Sequence, residues 1–257
     1  MGHIIDSHVH LDLIVHHHPD KMKWLKENDC SVVSWSYFAD VDSVSHLTEC
    51  LTSKAHCINS NFVQGVECYY LAGIHPRSIP PDLTPEHVEP LLRPFLDDPL
   101  CRGVGEIGLE TGNSREQEIF IAQLELGRIM SDDKKIVGVH TPRSNKQYIT
   151  GLTLRILDKY LELSSSLVID HCTIDTIDPV LHAGYWAGVT LSPPKTAWDE
   201  LKRIVSRHQK HLDRIMCNTD SGSMFFEDAV IYSRTDDMDQ TNRAKIFHDN
   251  AARFFSI

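Results

Sequence analysis

The sequence alternates along its whole length between short apolar segments rich in β-branched residues and longer segments of helical character. Strands are predicted near residues 3–8, 31–37, 69–74, 102–107, 135–140, 166–171, 187–192 and 214–219. Helices are predicted at 20–28, 42–56, 84–97, 115–131, 145–162, 173–183, 195–210, 223–231 and 239–254. This alternation is typical of parallel strands joined by crossover helices. Eight such units predict an α/β fold, a (β/α)8 TIM barrel that forms a single domain over residues 1–257.

The bulk composition narrows the classes of function. A formal net charge of −11 gives the protein no general attraction to nucleic acid or to an anionic membrane. This weakens a polyanion as substrate without excluding it, because divalent metal ions can supply positive charge locally. The seven cysteines include no CxxC pair, which predicts reduced thiols. Without a secretory pattern or an apolar stretch of bilayer length, a soluble cytoplasmic protein with no membrane partner is expected.

The first predicted strand ends in two histidines, His8 and His10. Side chains alternate between the faces of a strand, so these two imidazoles are expected to point the same way. Such a pair is suited to binding a metal, although His-x-His also arises by chance in a chain with 16 histidines. The ligand-type residues downstream decide between these interpretations.

Four further ligand-type residues stand at the ends of predicted strands at a roughly regular spacing, namely Glu106, His140, His171 and Asp220. Glu106 and His140 are 34 residues apart and His140 and His171 are 31 apart, close to the roughly 32 residues of one βα unit. The carboxyl ends of barrel strands meet at one face of the fold. The sequence therefore predicts a metal site at the C-terminal face of the strands.

Each of these residues also has a structural interpretation. Glu106 lies in an apolar, glycine-rich strand, and a buried carboxylate there could form a structural salt bridge instead of binding a cation. A single histidine at a strand end is more often a hydrogen-bonded core residue, but His140 and His171 follow successive strands. Asp220 could instead cap a helix at 223–231.

Several motifs occur in a fixed order between residue 4 and about residue 222. They are His8-Val9-His10, Gly73-Ile74-His75-Pro76, Gly105-Glu106-Ile107-Gly108-Leu109, Gln117, Gln123, His140, Asp170-His171 and Asn218-Thr219-Asp220-Ser221. Together they resemble the TatD-like metal-dependent hydrolases of the amidohydrolase barrel superfamily. The resemblance implies a (β/α)8 barrel with two divalent ions at its mouth. In many members it implies a metal-dependent deoxyribonuclease or phosphodiesterase activity.

The resemblance also implies a set of ligands, by matching position. One ion would be held by His8, His10 and Asp220, the other by His140 and His171, with Glu106 bridging the two. Such ligands suit zinc and manganese, magnesium is possible, and the sequence does not choose among them. An ion so held lowers the pKa of a bound water from 15.7 to about 7. Asp220 is then expected to be the catalytic residue that takes the proton and returns it to the leaving group.

Two departures from the family pattern lie in loops that would face the substrate. Glu110 stands where the family usually has an aspartate, and His140-Thr141-Pro142-Arg143 stands where it usually has His-x-Arg. These differences leave the substrate open more than the metal centre. His75 and Arg143 are predicted to bind substrate, the arginine through a phosphate or carboxylate.

Other polar residues near the predicted rim are expected to lie on the surface. Lys146 and Lys195 fall in loops at the same end of the barrel, where they could hold an anion, but a solvated position is expected for both. The triplet at 16–18, three consecutive histidines, is expected to form an exposed loop.

The leading hypothesis is a dinuclear metal-dependent hydrolase acting on a phosphoester, either a small molecule or a nucleic-acid end. A small carboxylic ester, lactone or amide remains an alternative, because the same activated water attacks either centre. A hypothesis of another class is a non-catalytic barrel that retains the metal site as a binding element.

Overall fold

The computed structural model of the chain describes residues 2–193 and 195–257. Its strands are β1 (Ile4–Val9), β2 (Cys30–Ser34), β3 (Cys68–Ala72), β4 (Cys101–Gly108), β5 (Ile136–His140), β6 (Leu167–Ile169), β7 (Trp186–Thr190) and β8 (Ile215–Asn218). They are parallel and hydrogen-bond in sequence order. A parallel bridge between Val9 and Ser221 brings the end of β8 back to β1. The predicted (β/α)8 TIM barrel is confirmed.

Helices connect the strands on the outside. They are α1 (Leu11–His17), α2 (Lys21–Glu27), α3 (Val44–Val63), α4 (Pro85–Leu96), α5 (Ser114–Ile129), α6 (Lys146–Leu157), α7 (Ile177–His182), α8 (Trp198–Arg207), α9 (Asp228–Ser233), α10 (Gln240–Ala244) and α11 (Asn250–Phe255). Helix α1 was not predicted, because it begins directly after His10 with no polar loop to mark its start. The helix predicted at 223–231 begins only at Asp228, so Asp220 does not cap it.

The interior of the barrel is apolar toward the amino ends of its strands. Ile5, Val33, Leu71, Val168 and Met216 from five strands meet there. Two aromatic side chains of α11, Phe254 and Phe255, pack against this group. Polar side chains can therefore gather at the opposite end of the barrel, at the carboxyl ends of the strands. In the described ranges, none of the helices has the length and hydropathy that a bilayer-spanning segment requires.

Candidate metal centre

The ends of three strands bring four of the predicted ligands together. His8 Nε2 lies 3.4 Å from Glu106 Oε2 and 3.6 Å from Asp220 Oδ1. His10 Nε2 lies 3.1 Å from the same Asp220 oxygen and 4.0 Å from Glu106 Oε2. These side chains come from three widely separated parts of the sequence, and the bridge between Val9 and Ser221 places Asp220 beside the two histidines.

These separations suit a shared cation. Ligands about 2.0–2.2 Å from a tetrahedral ion are about 3.4 Å from one another. His8 Nε2 is buried and has no hydrogen-bond partner within the described part of the chain, although it faces two carboxylates. A buried polar atom of this kind calls for a partner. The donor set of His8, His10 and Asp220 therefore fits a divalent metal ion.

The other oxygen of Glu106 faces a second group of histidines. Oε1 lies 2.7 Å from His140 Nδ1, 3.4 Å from His171 Nε2 and 3.6 Å from His75 Nε2. His75, Glu106 and His140 present ligand atoms that all lie within 4.8 Å of one another. The carboxylate of Glu106 thus stands between two groups of nitrogen donors.

Outer contacts orient the ligand histidines. Asp170 Oδ2 lies 2.5 Å from His8 Nδ1, and the carbonyl of Trp35 accepts a hydrogen bond of 3.0 Å from His10 Nδ1. Both contacts place the proton of a neutral imidazole on Nδ1, which leaves the lone pair of Nε2 for a metal. His171 Nδ1 is 2.7 Å from Thr190 Oγ1. Sequence reasoning missed Trp35, because a backbone carbonyl acceptor leaves no signal in residue type.

The backbone turns two of the ligands into the mouth of the barrel. His171 and Asp220 have φ values of 58° and 54°, a left-handed conformation that is uncommon outside glycine. The N–H of Asp220 donates a 3.0 Å hydrogen bond to the carbonyl of His8, and Lys146 Nζ donates one of 2.9 Å to the carbonyl of His171. These hydrogen bonds stabilise the left-handed backbone at both residues, a conformation that is often found at functional sites.

Opposite charges balance in the buried centre. Burial alone would lower the pKa of His8, but the charge of Glu106 and the hydrogen bond with Asp170 outweigh it and raise that pKa to about 10. Burial would raise the pKa of Glu106, yet the neighbouring histidines hold it well below its usual value. Burial and the charge of Lys195 lower the pKa of His171 to about 4. The carboxylates therefore stay ionised, as metal binding requires.

A cavity of about 730 Å³ opens above these residues. Its wall includes Tyr37, Arg77 and Arg143, and an apolar side formed by Met224 and Phe226. Arg143 is exposed and borders the cavity, which is compatible with its predicted role in substrate binding. The volume is that of a typical small-molecule site.

His75 has a different position from the one expected. Its side chain is 1% exposed and lies behind the cavity wall, with its ring 4.5 Å from that of His140. Gln123 of α5 holds the preceding loop through two hydrogen bonds, of 2.7 and 3.1 Å, with the backbone of Ile74. The predicted contact of His75 with substrate has no support from this geometry, and His75 stands instead among the possible metal ligands.

The two lysines that were expected on the surface both point inward. Lys146 Nζ donates to Thr141 Oγ1 at 3.1 Å as well as to the carbonyl of His171, and burial lowers its pKa to about 8. Lys195 Nζ contacts Asp220 Oδ2 and lies 3.3 Å from His171 Nδ1, with its side chain only 12% exposed. The expectation of solvated positions is therefore wrong for both, because the ammonium of Lys146 reaches the carbonyl of His171 and that of Lys195 reaches Asp220.

Glu110 and the three histidines at 16–18 have different surroundings. Glu110, the departure after Gly108-Leu109, places Oε2 3.0 Å from His140 Nε2, so it contacts a predicted ligand. His16 and His17 are exposed, as expected, but they form the last turn of α1 and not a loop. His18 is partly buried and lies within 2.9 Å of the carbonyl of Ser223.

Comparison with known proteins agrees with the fold. Residues 5–224 match the model of a family described as TatD related DNase. An uncharacterized metal-dependent hydrolase of Methanocaldococcus jannaschii is 29% identical over 161 residues, a match that spans 62% of this chain and only 61% of that relative.

Solved structures are also similar to this chain over nearly its whole length, among them a TatD-like protein and a dipeptidase. The TatD-like protein of Archaeoglobus fulgidus is 30% identical, with a TM-score of 0.76 and coverage of 98% of this chain and 100% of the other. The β-aspartyl dipeptidase of Fervidobacterium islandicum is 16% identical, with a TM-score of 0.68 and coverage of 100% and 76%. At that identity the second similarity concerns the fold alone.

Proposed function

The chain belongs to the family of TatD related DNases, and on that basis we propose that it is a hydrolase that uses two divalent metal ions to cleave phosphoester bonds. The observation that carries the proposal is the position of Glu106, whose two carboxylate oxygens each face a separate group of histidines. A carboxylate placed in this way can bridge a pair of ions.

The separations support a division of the ligands between two ions. We assign His8, His10 and Asp220 to the first, His140 and His171 to the second, and Glu106 to both. Zinc and manganese accept such imidazole and carboxylate sets, whereas magnesium prefers oxygen ligands. When bound, the ions lower the pKa of a water molecule and neutralise charge on the substrate.

Asp220 is the residue that we assign to proton transfer. Its Oδ1 faces His10, and its Oδ2 faces Lys195. Burial alone would raise its pKa, but the hydrogen bond with His10 and the charges of His171 and Lys195 hold it well below the usual value. Asp220 is therefore ionised at neutral pH, ready to accept the proton of the attacking water and to return it to the leaving oxygen.

The cavity favours a small phosphoester or a single nucleic-acid end as substrate. Its volume of about 730 Å³ holds a ligand of nucleotide size rather than a length of duplex. Arg143 at the rim is suited to bind a phosphate in bidentate fashion. A net charge of −11 disfavours long polyanions, because the protein as a whole repels them.

A substrate panel tests the proposal. The purified protein is stripped with a chelator, reloaded with zinc or manganese, and assayed on bis(p-nitrophenyl) phosphate, end-labelled single-stranded DNA, p-nitrophenyl acetate, a lactone and a dipeptide. We expect metal-dependent turnover of a phosphodiester. Asp220→Asn should lower kcat about 100-fold or more. Asp158→Asn, at an exposed position after α6, should leave it unchanged.

The same panel separates the alternatives. Inactivity on every phosphorus compound together with turnover of the ester, lactone or dipeptide would replace the phosphoester by a carboxylic substrate. Stoichiometric metal binding without turnover of any compound would favour a non-catalytic barrel.

A further inference from the structure

Lys195 occupies a fixed place in the loop that follows β7. A parallel bridge joins Leu191 to Thr196, and the N–H of Thr196 donates a 3.2 Å hydrogen bond to the carbonyl of Thr190. The N–H of Lys195 itself donates to the carbonyl of Ser192 at 2.9 Å. These backbone contacts hold the lysine at the cavity wall, where its side chain is 12% exposed.

The ammonium group of Lys195 stands where the two groups of candidate ligands meet. It contacts Asp220, which belongs to the first group, and lies 3.3 Å from Nδ1 of His171, which belongs to the second. Within residues 2–193 and 195–257, Asp220 is the one carboxylate within 4.0 Å of it. The charge of this largely buried lysine therefore depends on Asp220 for compensation.

A metal ion at Asp220 changes that balance. A carboxylate that helped to hold an ion would share its negative charge with that ion, so its attraction for Lys195 would weaken. A largely buried ammonium that loses part of its counter-charge favours a new anion. The cavity beside it is open to such a ligand.

We propose that Lys195 binds an anionic oxygen of the substrate, and that it makes the site select phosphoesters over neutral esters, lactones and amides. The inference rests on the proposed function and deepens it by assigning the residue that recognises the substrate's charge. In the metal-free protein Asp220 competes for Lys195; in the loaded protein the substrate takes that place.

Lys146 provides a matched control, because it lines the same cavity and carries the same charge. Its ammonium donates to the carbonyl and hydroxyl oxygens of Thr141 and to the carbonyl of His171. Among the described residues it has no carboxylate within 4.0 Å. Its ammonium already donates hydrogen bonds to the segments after β5 and β6. Removal of Lys146 should therefore affect the stability of these segments more than the binding of an anion.

Binding of inorganic phosphate to the metal-free protein tests the proposal without requiring turnover. By isothermal titration calorimetry, Asp220→Asn should raise phosphate affinity at least tenfold over wild type, because Lys195 is released. Asp220→Asn with Lys195→Met should lose that gain, whereas Asp220→Asn with Lys146→Met, of the same net charge, should keep most of it. Equal affinities in the two double variants would overturn the proposal. Asp220→Ala serves in place of Asp220→Asn if the latter does not fold.

Kinetics of the reloaded protein give the second measurement. Lys195→Met should lower kcat/KM for a charged phosphodiester about 100-fold and for a neutral ester less than threefold, at unchanged metal content, and Lys195→Arg should recover part of the loss. An equal loss of kcat/KM on both substrates would mean that Lys195 acts only by positioning Asp220, and would overturn the proposal. If the protein hydrolyses nothing, the phosphate titration alone decides the role of Lys195.

Discussion

The indole ring of Trp35 stacks on the imidazole of His8, with ring centroids 4.2 Å apart and planes inclined by only 7°. The same residue accepts a hydrogen bond from His10 through its backbone carbonyl, and its Nε1–H donates to the carbonyl of Ser7 at 2.9 Å. One residue at the end of β2 thus contacts both members of the histidine pair.

This contact makes Trp35 an internal reporter of metal binding. We expect zinc to change the tryptophan emission of the wild-type protein and to leave that of Trp35→Phe nearly unchanged. Zinc affinity should fall less than tenfold, because the phenylalanine keeps the carbonyl that orients His10. Trp186→Phe, a change in the apolar layer near α11, should retain the full response. A full response in Trp35→Phe would contradict the expectation.

Asp170 should control metal affinity through His8. Its Oδ2 holds Nδ1 of His8, and its Oδ1 accepts a 2.8 Å hydrogen bond from Asn218 Nδ2. The negative charge of Asp170 orients the imidazole of His8 and raises its basicity. Asp170→Asn removes that charge, so zinc affinity should fall about 10- to 100-fold. Competition with a fluorescent chelator measures the change. Asp175→Asn, in the loop after β6, is the control, and an unchanged affinity in Asp170→Asn would show that His8 needs no such partner.

The sequence allowed prediction of those features that depend on position along the chain. Ligands at the ends of strands, such as Glu106 and His140, recur with the βα unit, and ring closure then brings them together whatever the loops do. The orientation of Lys195 depends on a loop that folds back over the mouth, and the role of Trp35 depends on a backbone carbonyl. Neither has a periodic signal, so only the three-dimensional structure reveals them.

Metal binding should release protons. With its pKa raised to about 10, His8 carries a proton at pH 7 in the metal-free protein, and the pKa of His140 is also raised, because burial is outweighed by hydrogen bonds with Glu106 and Glu110. A metal must displace such protons, so about one to two should be released per protein at pH 7. Calorimetry in buffers of different ionisation enthalpy counts them. Affinity should rise with pH about tenfold per unit for each displaced proton, and a flat profile between pH 6.5 and 9 would contradict this.

The same pKa shift predicts how the stability of the metal-free protein depends on pH. Because the pKa of His8 is higher in the folded state than in the unfolded state, its contribution is fully present below about pH 6.5 and is lost as the pH rises through about 10. Urea unfolding of metal-free protein should therefore show stability that falls between pH 7 and 10. His8→Gln removes the titrating group and should flatten this part of the curve; an equal slope in the variant would assign the loss to other groups.

A buried ion pair between α3 and the segment after β1 should support the barrel at β2. Lys54 of α3 is 1% exposed, and its Nζ donates to Asp12 at 2.6 Å and to Ser34 Oγ at 2.7 Å. Asp12→Ala leaves a buried ammonium without its counter-charge and should lower the free energy of unfolding by about 3–5 kcal/mol. Lys54→Met should cost less, because it removes the buried charge, and the side chain of Asp12, 20% exposed, can be hydrated.

Urea denaturation of the metal-free variants measures both changes. Glu27→Ala, which breaks an exposed pair with Lys23, is the control and should cost less than about 1 kcal/mol. Equal losses for Asp12→Ala and Lys54→Met would mean that lost packing, not the unpaired charge, sets the cost. A larger loss of stability for Asp12→Ala would assign the loss to the uncompensated ammonium of Lys54. Lost packing would not explain it, because the side chain of Asp12 is less buried than that of Lys54.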